Sequence, residues 1–273
     1  MRELSDPALT GSLEKSMMPS LCGRPPKAVQ KISKGGDTHL GHLEERMSTV
    51  TYEFSEKYDA EKARTYFIKH NSGLKNRLST WREVRMARKA LRLAGRPQSV
   101  LDLPCGTGRF WELLAEEPGR TLYAADNSRS MIDVGMSCRP AAVAARIKDT
   151  FQCSAFATGL PDRFVECVFC IRLLHHITRS EDRILMLKEL ARISSGTVIV
   201  SLWVDGNYRA YRQRLHEERK ARLGKTTPLD RILLKRSEIE SDIAAAGLEI
   251  IGHVDNLKFW DKWRAYVLRV KKA

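Results

Sequence analysis

Residues 99–110 read S-V-L-D-L-P-C-G-T-G-R-F, and the fold is decided by how this stretch is read. Val100 and Leu101 have the apolar character of a buried strand's end, and Gly106 and Gly108 permit a tight turn without a Cβ. Residues 109–115 then carry helix formers at apolar spacing. The unit predicted is a strand, a glycine turn and a helix. In such a unit backbone amides approach a ligand at the carboxyl end of the strand, where open α/β sheets bind nucleotides. A two-glycine turn also has a plainer reading, an ordinary strand-to-helix connection. Residues 121–125, T-L-Y-A-A, form a second short strand pattern that runs straight into Asp126. This carboxylate stands about twenty residues beyond the glycines, where a nucleotide site holds ribose hydroxyls. Asn127 and Ser128 offer N-cap oxygens to a helix through Met131 and Ile132.

A third stretch, C-S-A-F-A-T-G-L-P-D-R-F-V-E-C-V-F-C-I-R-L-L-H-H-I at residues 153–177, completes a series. With L-D-L-P-C-G-T-G and A-A-D-N-S-R-S-M-I it resembles, in order and spacing, the successive motifs of class I S-adenosylmethionine-dependent methyltransferases. The resemblance covers residues 80–270 and is nearest to the small-molecule type that carries L-H-H after the fourth strand. It implies a Rossmann-like α/β sheet, mostly parallel with an antiparallel last strand, and helices on both faces. It also implies S-adenosyl-L-methionine as cofactor. Asp102 is then expected near the cofactor's amino end, with Cys105, Gly106 and Gly108 beneath it and Asp126 on the ribose. Asn127 and Met131 would also bind the cofactor, with Ser154 and Ala155 at the adenine edge and Arg172 at the strand end that faces the methyl group. The sequence departs from the family at three of these places. Pro104 replaces a common glycine and removes one amide donor. Ser154 stands where an acidic residue is frequent, and Arg172 where a short or apolar one is usual.

A sulfonium methyl is already activated, so the protein has mainly to align an acceptor lone pair and take a proton where the acceptor carries one. His175 and His176 are the candidate bases, with wall-lining packing as their alternative reading. Arg172 at the end of the fourth strand suits an acidic acceptor or the cofactor carboxylate, unless it leans out to solvent.

The chain has 273 residues, 42% of them hydrophobic, enough for one α/β domain with decoration. A net charge of +14, from 47 basic and 33 acidic residues, points to anionic partners, although solubility alone accounts for it too. The six cysteines lack a paired metal-ligand pattern, so free thiols and no metal are expected. Cys167 and Cys170 form a nominal C-x-x-C inside a predicted strand, where positions three apart point to opposite faces. No basic-then-apolar leader opens the chain and no apolar run reaches the ~18 residues of a membrane span, so a cytoplasmic location is expected.

Residues 1–51 mix Gly, Pro, Ser and Lys with little periodicity and read as a disordered tail, with Met47 as an alternative start. Residues 52–95 read as a helical cap in which Trp81, Val84, Ala87, Leu91 and Ala94 share the inner face. Residues 96–273 form the main domain. The fourth strand is expected at 164–171, a helix with Ser180 as N-cap at 180–193, the fifth strand at 197–204, and a closing antiparallel pair at 248–254 and 263–270. That reversed ending separates the chain from a dehydrogenase. A basic helical insertion at 207–236 carries Arg209, Arg212, Arg214, Arg219, Lys225 and Arg231 with Tyr208 and Tyr211 interleaved. It reads as a lid over the acceptor site, a contact for RNA or an anionic membrane surface, or a solvated helix. The principal expectation is methyl transfer to a small or lipid-linked metabolite. The alternatives are a tRNA or rRNA methyltransferase, and a cofactor-binding protein without catalysis that acts through the basic insertion.

Overall fold

The computed structural model describes residues 60–71, 73–223 and 233–271. The expected tail at 1–51, and Lys225 and Arg231 of the insertion, lie outside them. The strands are β1 (Ser99–Asp102), β2 (Thr121–Asp126), β3 (Ile147–Gln152), β4 (Val165–Cys170), β5 (Ser194–Trp203), β6 (Leu248–Asp255) and β7 (Trp263–Val270). They form a seven-stranded sheet in the order β3-β2-β1-β4-β5-β7-β6. All neighbours pair in parallel except β7, which lies antiparallel between β5 and β6. Because β6 keeps the direction of β1 to β5, the loop from β6 to β7 emerges at the same carboxyl edge as the glycine turn.

The helices are α1 (Ala60–Asn71), α2 (Leu74–Leu93), α3 (Trp111–Leu114), α4 (Arg129–Cys138), α5 (Ala141–Ala144), α6 (Ser180–Arg192), α7 (Tyr208–Arg222) and α8 (Arg236–Ala245), with a 3₁₀ turn at Leu174–His176. They cover both faces of the sheet, so its central strands are apolar on both sides. On one face Leu101, Val168, Cys170 and Val200 meet Leu187 and Leu190 of α6 and Ile239 and Ile243 of α8. On the other, Val100, Cys167, Phe169 and Ile199 meet Met86, Ala87 and Ala90 of α2 and Trp111 of α3. Cys167 and Cys170 therefore sit in different cores, as the two-residue period of a strand requires.

Several boundaries differ from the sequence reading for identifiable reasons. Helix α3 starts at Trp111, which leaves Arg109 in the turn. Strand β3, expected from the sequence to end over residues 151–156, ends at Gln152, because Ser154 Oγ accepts the Phe156 N–H at 3.2 Å and closes a local turn. Ser180 is the first helical residue and not the cap; its hydroxyl donates instead to Asp242. Helix α2 is rotated from the expected face. Trp81 is 56% exposed, while Glu83 is 2% exposed among Met86, Ala87 and Ala90.

Helices α6 and α8 are joined by an ion network as well as by apolar contact. Fully buried Arg183 donates to Asp242 at 2.7 Å, to Glu238 at 2.6 Å and to the Thr178 carbonyl at 2.7 Å. A buried guanidinium requires such a full set of acceptors.

Candidate active site at the carboxyl edge

The turn after β1 is held by its neighbours on both sides. Leu103 N–H donates to the Phe169 carbonyl of β4 at 3.1 Å and Cys105 N–H to the Ala125 carbonyl of β2 at 2.8 Å. Gly106 and Gly108 both adopt positive φ, 53° and 70°. A Cβ on Gly108 would lie 2.5 Å from the Trp111 indole, so this glycine is required by contact as well as by conformation. The same indole packs beneath Gly135 of α4, where a Cβ would meet it at 2.9 Å. A Cβ on Gly106 would instead meet nothing within 4 Å, so the turn presents bare backbone to open space.

Two carboxylates flank this turn. Asp126 accepts the Gly106 N–H at 2.8 Å on one oxygen and the Ser128 N–H at 2.9 Å on the other. Burial raises its pKa, and the backbone donors of Ser128, Gly106 and Asn127 oppose the rise. Each oxygen keeps a lone pair for a further donor such as a hydroxyl. Asp102 is 1% exposed, and neither of its oxygens has a hydrogen-bond partner among the described residues. Burial first, and then the charge of Asp126, push its carboxyl well above the ordinary range. The Trp111 indole lies near enough to favour the charged form without closing a hydrogen bond. A buried carboxyl without partners is costly by about 1–3 kcal/mol and is matched by a cationic ligand group. The site therefore fits a cofactor with an ammonium end, a sugar hydroxyl pair and a span between them that crosses bare glycine backbone.

The remaining expected residues fall around this centre. Ser128 Oγ caps α4 by accepting the Met131 N–H at 3.4 Å, and the Asn127 carbonyl accepts from Gln152 Nε2 at 3.3 Å. Met131 is buried in a cluster with Val134 of α4 and Ala63, Tyr66 and Phe67 of α1, so α1 packs against α4 there. Ala155 is buried behind the turn that Ser154 closes. Cys105 is buried, and burial, followed by the charges of Asp126 and Asp102, pushes its thiol well up, so it contributes backbone and not a thiolate.

Arg172 follows β4 in the left-handed region, φ 69°, which is uncommon for a residue with a side chain. Its N–H donates to Ser201 Oγ at 3.0 Å, and its Nη1 reaches both oxygens of Glu83 at 3.2 Å. Arg109 meets the same carboxylate at 3.3 Å and donates to Thr80 Oγ1 at 2.9 Å. Burial lowers the pKa of Arg109, while the charge of Glu83 raises it. Glu83 thus ties α2 to the turn after β1 and to the turn after β4, across the end of the sheet where the two carboxylates stand. Neither Glu83 nor Arg109 was singled out from sequence. The available signal was a carboxylate on the apolar side of α2, three and four residues before Met86 and Ala87.

The Arg172 guanidinium lies 5.3 Å from the Trp263 ring centre, and that ring links it to the histidines. His175 is 2% exposed, stacked on Trp203 at 5.0 Å and edge-on to Trp263 at 4.9 Å. His176 is half-buried with its ring 4.0 Å from that of His175. The structure accordingly places His175 inside an aromatic wall and His176 at its rim. A cavity of about 540 Å³ lies farther along the edge, lined by Asp205, Arg236, His253, Asp255, Lys258 and Arg264 among others. None of the cofactor-side residues lines it. No group of three or more His, Cys, Asp or Glu with metal-site geometry occurs among the described residues.

Comparison with known proteins finds methyltransferases among those that the chain resembles. A family model described as a methyltransferase domain matches residues 100–195. Magnesium protoporphyrin IX methyltransferase from Synechocystis PCC 6803, with bound SAH, superposes with a TM-score of 0.61 at 15% identity over 81% of this chain and 99% of that one. An O-methyltransferase family protein from Burkholderia thailandensis gives a TM-score of 0.54 at 16% identity over 70% of this chain and 56% of that one. The tRNA (carboxymethyluridine(34)-5-O)-methyltransferase alkbh8 of Xenopus tropicalis is 24% identical over 128 residues, 46% of this chain. That match spans 19% of the curated relative's own length. At such identities the solved structures speak for the fold, and the family model for the matched residues. Matched sequence and sheet order agree: residues 100–195 match a methyltransferase domain, and the chain has the fold of the methyltransferases on which it superposes.

Proposed function

We propose that the protein transfers a methyl group to a small or lipid-linked metabolite. The observation that carries this reading is the closure of the reaction edge by α2, through Glu83 bonded to both Arg109 and Arg172. A cap fixed at two points across the ends of β1 and β4 suits an acceptor small enough to enter beside it. S-adenosylmethionine, when bound, supplies a sulfonium methyl that needs no further activation. Asp102, whose oxygens have no hydrogen-bond partner among the described residues, then holds the cationic amino end, and Asp126 holds the ribose while it anchors the turn through Gly106. Arg172 is poised at the methyl end, where its guanidinium orients an acidic group on the acceptor or the cofactor carboxylate. His176 accepts the acceptor's proton, and His175 with Trp203 and Trp263 forms a dry wall behind it.

A second reading, a tRNA substrate, is favoured by the partial likeness to the frog tRNA methyltransferase. Incubation with methyl-labelled S-adenosylmethionine and fractionated cell extract distinguishes the two. Label in the small-molecule or lipid fraction supports the proposal. Label in bulk tRNA, or no transfer to any fraction by a protein that binds the cofactor, overturns it.

A further inference from the structure

Helix α7 is amphipathic with its aromatic stripe turned outward. Ala210, Gln213, Glu217 and Lys220 are buried or half-buried, whereas Tyr208, Tyr211, Arg212, Leu215, Arg219 and Arg222 are exposed. These two sets recur at helical spacing on opposite sides. The acids of the helix do not neutralise the outward stripe. Glu217 is on the inner side and accepts from Gln213 at 2.8 Å, and Glu218 is paired with Arg214 at 3.7 Å.

The loop between β6 and β7 extends this face. Phe259 is 74% exposed and Trp260 54%, and Phe259 stands at φ 62°, uncommon for so large a side chain. The loop is fastened to the start of α7. Tyr208 N–H donates to the Phe259 carbonyl at 2.9 Å, Arg209 N–H to the Trp260 carbonyl at 3.1 Å, and Trp260 stacks on Tyr208 at 4.7 Å. The aromatic tip and the cationic helix are therefore one preformed surface, at the carboxyl edge of the sheet.

We propose that this surface docks on an anionic membrane, whichever acceptor the site takes. Exposed arginines answer the phosphate of headgroups, and Phe259, Trp260 and Leu215 suit the boundary between headgroup and acyl chain. Docking is peripheral, since no described helix is long and apolar enough to cross a bilayer. Single-stranded nucleic acid would instead need free aromatic faces on which bases stack. Here one face of each ring is already taken: Lys258 lies over Phe259 at 5.1 Å, Arg212 over Tyr208 at 5.9 Å and Arg214 over Tyr211 at 5.8 Å, and Trp260 is stacked on Tyr208. Leu215 and Leu257, both exposed, offer nothing to a base and much to an acyl layer.

Flotation of the full chain with vesicles of neutral phosphatidylcholine, and of the same lipid with a third phosphatidylglycerol, tests this. Binding is expected on the anionic vesicles only, and is expected to fall with salt. The combined charge reversal Arg212→Glu, Arg219→Glu and Arg222→Glu is expected to weaken it about a hundredfold. Phe259→Asn, whose new side chain tolerates the left-handed backbone, is expected to weaken it about tenfold. Both variants are expected to keep the melting temperature and cofactor affinity of the parent. The proposal is overturned if the folded parent does not float with anionic vesicles at low salt, if both variants float as the parent does, or if bulk tRNA is bound more tightly than the vesicles through the same arginines.

Discussion

Glu83→Gln is the perturbation that most directly probes how the cap is held over the edge. The substitution keeps the shape and removes the charge that Arg109 and Arg172 share. At separations of 3.2 and 3.3 Å, each pair attracts by about 5 kcal/mol at an effective dielectric constant of ~20. Most of this gross attraction offsets the desolvation of a carboxylate that is 2% exposed, and the partly exposed Arg172 is also screened by solvent. Removing one partner of a buried pair nevertheless costs about 3–5 kcal/mol, because the other charges remain buried. The amide oxygen still accepts one guanidinium bond, which sets the expectation at about 3 kcal/mol. For a domain of this size that lowers the melting temperature by about 6–12 °C. Urea unfolding followed by circular dichroism on the parent, Glu83→Gln, Arg172→Met and the double variant measures both the cost and the coupling. A coupling of at least about 1 kcal/mol is expected between the two positions. A loss below about 0.5 kcal/mol for Glu83→Gln, or strict additivity in the double variant, would refute the reasoning.

The other expectations concern the turn, its carboxylates and the α6–α8 network. The raised pKa of Asp102 means that above about pH 4 the folded protein retains a proton that the unfolded chain has lost. Cofactor-free stability should therefore fall as pH rises from there toward the folded pKa, and Asp102→Asn should flatten that fall in urea titrations across the range. Cofactor binding should release a proton, read calorimetrically as a heat that depends on the buffer. Gly108→Ala is expected to cost about 3 kcal/mol or more, because a Cβ meets the Trp111 ring at 2.5 Å on a left-handed backbone. Gly106→Ala should cost about 1–2 kcal/mol in stability yet lose cofactor affinity in calorimetry, since its methyl enters the space the turn leaves open. Arg183→Met should destabilise by about 3–5 kcal/mol by chemical denaturation, and adding Asp242→Leu should recover most of that loss.

The parts of this molecule legible in sequence are those fixed by local pattern. The glycine turn, Asp126 at the end of β2, the Ser128 cap and the reversed β7 each depend on a few adjacent residues or on strand periodicity. Arg172 and Glu83 are of another kind. They lie 89 positions apart, and the feature that joins them is an ion pair formed only once α2 is laid across the sheet. The same contact turns Trp81 outward, and apolar spacing alone does not reveal that a carboxylate is drawn inward. Ser180 has the pattern of a cap, because serine before an amphipathic run commonly is one. Its hydroxyl is taken instead by Asp242, 62 residues away.

The position of β7 has a consequence for how the chain is made. It pairs with β5 on one side and β6 on the other, so the strand that closes the middle of that half-sheet is the last described strand of the chain. During synthesis β5 therefore waits with an open edge, and β6 has no neighbour in the sheet, until residues 263–270 emerge. Over that interval the apolar β5 segment T-V-I-V-S-L-W is exposed to other nascent chains as well as to its own partner. A stalled or shortened product missing these eight residues would then be a substrate for holding chaperones and proteolysis rather than a slightly less active enzyme.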